Sequence, residues 1–198
     1  MNLPNKLTIS RMVMAPLFFI AFHLPLWFGS QLNLVSVVLL LLLYALTELS
    51  DLFDGMIARK GELVTDLGKV MDPFADTFSR LTYFVCLTGV KVMPIWAFII
   101  IMWREFLIVF MRMLVMGKGK AVAANIWGKA KAVLYAASGL CGIVYVSVDR
   151  LVADVGWKSW ANPTMLVIFG LAALASVASF ATYMRAIIGS NDLSHLRR

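Results

Sequence analysis

Cysteine and histidine are scarce in this chain, two of each in 198 residues, and only 15% of the residues are charged. Cys86 and Cys141 both fall inside apolar runs, so they read as small core side chains, not as a disulfide framework or a thiolate metal site. His23 and His195 stand alone and carry no ligand pattern. There is no internal repeat, soluble domain or low-complexity tail. The shortage of charge excludes an ordinary soluble domain, because 61% of the residues are hydrophobic and the mean hydropathy is +0.85.

What is there is a series of long apolar runs. Six of them, over residues 12–28, 32–49, 67–89, 92–115, 121–148 and 163–188, reach or approach the roughly 20 residues that span a bilayer. The expected fold is all-α, a polytopic membrane protein of six transmembrane helices forming one domain over residues 1–198. Residues 1–11 are basic and mixed in polarity, and they read as an interfacial segment with Leu3, Leu7 and Ile9 dipping into lipid. Pro16 and Pro25 are expected to bend or shorten the first span, residues 29–31 to form a tight turn, and Pro73 to kink the third span.

The basic residues set the expected orientation. With the N terminus inside, thirteen Lys and Arg fall on the cytoplasmic side, and only Lys91, Arg150 and Lys158 on the other. The net charge of +7 is then a basic rim facing anionic headgroups, and no nucleic-acid partner is needed to explain it.

Against this apolar background, residues 51–76 concentrate acid. Asp51, Asp54, Gly55 and Ala58 follow i, i+3, i+4, i+7, and Gly68, Asp72 and Asp76 follow i, i+4, i+8, so each set shares one helix face. A turn between Arg59 and Asp66 lets the two faces meet, which brings four carboxylates into one pocket. Ionised acids that close repel, and burying even one costs several kcal/mol without compensation. Hard divalent cations such as Mg²⁺, Mn²⁺ or Ca²⁺ satisfy oxygen ligands of this kind, and four Asp suit two ions. Gly55, Ala58 and Gly68 leave bare backbone on which a nucleotide-sized group could rest. Glu48, three residues before Asp51, is placed to partner the cluster.

The spacing D-x2-D-G-x2-A-R-x8-G-x3-D-x3-D resembles, at every fixed position, the signature of the CDP-alcohol phosphotransferase family. The resemblance implies an integral-membrane enzyme that cleaves a CDP-alcohol, releases CMP and moves the phospho-alcohol group to a hydroxyl acceptor. It implies Asp51, Asp54 and Asp72 as Mg²⁺ or Mn²⁺ ligands, Asp76 as general base and further ligand, and Gly55, Ala58, Arg59 and Gly68 beside the CDP. It also implies a homodimer in a bacterial inner membrane with the active site facing the cytoplasm.

Outside the motif, residues 2–11, 72–76, 104–105 and 128–131 are similar to bacterial members that take CDP-diacylglycerol and glycerol 3-phosphate. Arg104, Arg112, Lys129, Lys131 and Arg185 are the expected cations for an acceptor phosphate, the other reading of Arg104 being an ion pair with Glu105. Thr77 stands where similar members carry Lys, which leaves inositol phosphate, serine, choline or another alcohol open as acceptor. From other classes, a cation-transport protein or a non-catalytic lipid-binding protein also fits an acidic membrane site. Bare backbone beside Arg59 speaks against transport, because ion passage does not need it.

Overall fold

The computed structural model describes residues 3–61, 66–116, 126–152 and 156–189, and all regular structure among them is helical. The helices are α1 (Leu3–Phe28), α2 (Asn33–Gly61), α3 (Asp66–Gly89), α4 (Ile95–Met116), α5 (Ile126–Leu151) and α6 (Lys158–Gly189), with a single 3₁₀ turn at Ser30–Leu32. Their packing closes a ring in the order α1, α2, α5, α6, α4, α3, and α3 also reaches across to α5. The helix that carries Asp72 and Asp76 therefore touches three others.

Among the described residues four helices, α1, α2, α5 and α6, are long and apolar enough to cross a membrane. The remaining two, α3 and α4, have 24 and 22 residues but carry the charges of the site along their length. Exposed Val13, Leu42, Phe110, Val133 and Leu174 give the helices an apolar outer surface, and the chain is an integral membrane protein.

The N-terminal segment differs from expectation. Residues 3–11 do not form a separate interfacial piece but are the first turns of α1, and Asn5, Thr8 and Arg11 are buried. Their spacing explains why. Asn5, Thr8, Arg11, Ala15, Phe18 and Phe22 form one continuous helical stripe, polar at its start and apolar after, and α1 packs against both α2 and α3.

Neither proline ends α1, which runs unbroken to Phe28. Pro25 lacks the N–H that would bond the Ala21 carbonyl, and Ser36 of α2 donates its hydroxyl there instead at 2.5 Å. Arg150 of α5 donates to Ser36 Oγ at 2.6 Å and to the Phe22 carbonyl at 2.7 Å. This polar staple joins α1, α2 and α5 at one end of the bundle. The chain then turns at Gly29, whose φ of 102° favours glycine. Likewise α3 continues through Pro73.

Below the staple lies an aromatic core. Phe18 meets Tyr83 at 4.4 Å between ring centroids, and Phe84 sits edge-on to Tyr135 and Phe169. Gly142 lets α5 approach, since a Cβ there would stand 2.5 Å from Leu87 Cδ1 and 3.2 Å from Phe169 Cζ. On α6, Ala172, Ala173, Ser176 and Ser179 are buried, so the small residues of that span serve close packing.

Candidate active site

The opposite end of the bundle gathers the start of α1, the end of α2, the starts of α3 and α5, and the later turns of α4 and α6. There the acidic faces of α2 and α3 do not simply oppose each other. Arg11 of α1 stands between them, donating from Nη1 to Asp51 Oδ1 at 2.6 Å and to Asp76 Oδ1, with Nη2 3.6 Å from Asp72 Oδ1. Thr8 donates its hydroxyl to Asp72, and Ser79 donates to the Arg11 carbonyl at 3.3 Å. The Arg11 side chain is 1% exposed, while Asp51, Asp72 and Asp76 are 38%, 45% and 29% exposed. One buried guanidinium thus holds three carboxylates whose other sides face an opening.

Glu48 and Thr47 line a small cavity with Arg11, Asp51, Asp76 and Arg80, which bears out Glu48 as a neighbour of the cluster. Among the described residues the acids do not form a ready metal cage by themselves, since Arg11 occupies the space between them. The donors are nonetheless all carboxylate oxygens. Glu48, Asp51, Asp72 and Asp76 outnumber the guanidinium groups of Arg11 and Arg80, so the donor chemistry and net charge fit hard divalent cations.

A larger cavity of about 350 Å³ opens beside this cluster. Asp51, Asp76, Thr77 and Arg80 line one side, and Arg104, Arg112, Lys129 and Lys131 line the other. Four of the five cations expected to meet an acceptor phosphate therefore share a cavity with the acids. Arg104 is ion-paired with Glu105, as its second reading has it, and also lines the cavity. Its Nη1 donates to Glu105 Oε1 at 2.9 Å, Lys131 Nζ donates to the same oxygen at 2.7 Å, and Arg104 Nη2 donates to Ser179 Oγ at 2.9 Å. Glu105 thereby fixes two cations in the cavity wall.

Arg185 is not among the lining residues. It lies beyond Ser179 and Tyr183 on α6 and is exposed, so the fifth expected cation belongs to the helix surface. Gly68 is buried in the first turn of α3. Asp54, Gly55, Ala58 and Arg59 lie on α2, with side chains outside the described residues. Sequence reasoning passed over Arg80, and it read Arg11 as a basic flanking residue within the resembling stretch 2–11, with no role in the acidic cluster. The signals were present in both cases. Arg80 extends the Gly68, Asp72, Asp76 series by four, and Arg11 lies on the buried stripe of α1.

Residues 1–177 match the family model described as CDP-alcohol phosphatidyltransferase. The chain belongs to this family. As a CDP-alcohol phosphatidyltransferase it is a transferase, and the transport and non-catalytic readings fall away. It is similar to the CDP-diacylglycerol–glycerol-3-phosphate 3-phosphatidyltransferase of Treponema pallidum, 28% identical over 93% of this chain and 88% of that one. The Bacillus subtilis protein of the same name is 36% identical over 66% of this chain and 70% of its own. The CMP-forming cardiolipin synthase of Streptomyces coelicolor is 32% identical over 56% of this chain and 50% of its own.

Proposed function

We propose that this phosphatidyltransferase moves the phosphatidyl group of CDP-diacylglycerol to glycerol 3-phosphate, giving phosphatidylglycerophosphate and CMP. The observation that carries this reading is the cavity that Asp51 and Asp76 share with Arg80, Arg104, Arg112, Lys129 and Lys131. The Streptomyces relative bears a different name from the Treponema and Bacillus proteins, so family membership does not by itself choose the acceptor. A cation-lined cavity favours an acceptor that carries phosphate over serine, choline or glycerol.

In the proposed site Asp51, Asp54, Asp72 and Asp76 would hold two Mg²⁺ or Mn²⁺ ions, which would supply the positive charge that neutralises the diphosphate. Gly55, Ala58, Arg59 and Gly68 border the cytidine and its phosphates. Asp76 accepts the proton of the acceptor hydroxyl. The hydroxyl oxygen then bonds to the lipid-side phosphorus as the bond from that phosphorus to CMP breaks, and CMP leaves with the electron pair. Arg104 and Lys131, fixed by Glu105, and the more exposed Arg112 and Lys129 steer the anionic acceptor toward Asp76.

The proposal includes six transmembrane helices in one domain over residues 1–198, a homodimer, and a cytoplasmic N terminus and active site. The distribution of Lys and Arg supports the orientation. The test is CMP release by purified protein in detergent with CDP-diacylglycerol, each acceptor offered separately. Release is expected with glycerol 3-phosphate in Mg²⁺ or Mn²⁺ and should stop on chelation. Equal release in chelator would refute the metal site, and turnover with only an uncharged alcohol would refute the acceptor.

A further inference from the structure

We infer that Arg80 is the specificity-determining residue that receives the acceptor's phosphate, an inference that rests on the proposed use of a phosphate-bearing acceptor. Arg80 lines both cavities, the small one with Glu48, Asp51 and Asp76 and the larger cation-lined one. It lies one helical turn after Asp76 on α3, and its side chain is 15% exposed. No other cation among the described residues borders both the large cavity and the acidic cluster's own small cavity, except as Arg11 borders the latter alone.

The surrounding cations are already committed or peripheral. Arg11 is bound to three carboxylates, and Arg104 and Lys131 share Glu105. Arg112 and Lys129 are exposed. Arg80 differs from all of them. Among the described residues its ion pair is with Asp51 Oδ2 at 3.9 Å, beyond hydrogen-bond reach. A guanidinium carries five donors in a fixed fork, and an ion pair at this distance engages none of them in a close hydrogen bond. A phosphate entering from the cavity can be met in the bidentate form that the fork matches. It would dock within a turn of Asp76, with the rest of the acceptor directed at the acidic cluster.

The test compares wild type, R80Q and R80K in detergent, with glycerol 3-phosphate and glycerol as alternative acceptors. R80Q is expected to raise KM for glycerol 3-phosphate about 10- to 100-fold, the loss of a charge-assisted hydrogen-bonded pair. KM for CDP-diacylglycerol should stay within about twofold, the preference for glycerol 3-phosphate over glycerol should shrink, and R80K should recover part of the affinity because it keeps the charge without the fork. A fall in kcat at unchanged KM for glycerol 3-phosphate, or an equal rise in both KM values, would show a structural role and overturn the inference.

Binding of glycerol 3-phosphate and inorganic phosphate, read by calorimetry, separates this inference from the proposed reaction. If wild type binds glycerol 3-phosphate but does not turn it over, the reaction is wrong, and weaker binding by R80Q or R80K still supports Arg80. If R80Q does not fold, R80K carries the comparison. Binding that is unchanged in the folded variants, or absent from wild type, overturns the assignment.

Discussion

Asp76→Asn is expected to lower kcat by about three orders of magnitude, the middle of the range for removing a positioned general base. Asp76, like Asp51, accepts from Arg11 and borders the two cavities, and it is the proposed base. Asparagine keeps the side chain's size and can still accept a hydrogen bond from Arg11, but it cannot take the proton of an acceptor hydroxyl. The fold should survive, so the melting temperature in detergent should move little while CMP release collapses. A variant retaining more than about a tenth of wild-type kcat would remove Asp76 from the role of base, since the smallest base contributions are near a hundredfold.

Arg11→Gln is expected to destabilise the protein before any substrate binds. The Arg11 side chain is 1% exposed and meets Asp51, Asp72 and Asp76, so its removal leaves three acids facing one another. Losing one partner of a buried pair costs about 3–5 kcal/mol. Because Asp51 and Asp72 are more than a third exposed, solvent screening reduces the expected loss to about 2 kcal/mol. The measurement is thermal unfolding in detergent with and without millimolar Mg²⁺. The variant should melt below wild type and gain more from Mg²⁺, because a divalent cation can neutralise the acids that the guanidinium leaves behind. Equal melting temperatures, or an equal Mg²⁺ increment in both proteins, would contradict Arg11 as the counter-ion of the cluster.

Much of this architecture is legible in residue spacing. Periods of three and four place Asp51 on one face of α2 and Gly68, Asp72 and Asp76 on one face of α3, and apolar run lengths give the helices. The same rule would have found Arg80, four residues beyond Asp76, had the series been continued. It would also have found Arg11 by following Phe22, Phe18 and Ala15 back toward the N terminus. What spacing cannot give is the neighbour of a face. The insertion of α1 between the acids of α2 and α3 is a matter of helix order in the ring, and so is the meeting of Arg104 with Ser179 across α4 and α6.

The interfacial reading of residues 1–11 failed for a physical reason. Mixed polarity there reflects not water on one side and lipid on the other but a helix whose polar stripe is buried against carboxylates. Asn5, Thr8 and Arg11 are among the least exposed polar side chains of the described residues. The prolines of α1 do not shorten it either. Pro25 frees a carbonyl, but Ser36 answers it, and a helix persists when a neighbour satisfies the group that proline leaves open.

The central claim is that an acidic cluster and a cationic cavity act together on a phosphate-bearing acceptor. It is tested most directly by offering CDP-diacylglycerol with an equimolar mixture of glycerol 3-phosphate, glycerol, serine and choline, and identifying the lipid product by mass spectrometry. The account predicts phosphatidylglycerophosphate as the dominant product, one CMP released for each, and no lipid product from the Asp76→Asn protein. A product formed from glycerol, serine or choline in preference to glycerol 3-phosphate would contradict it.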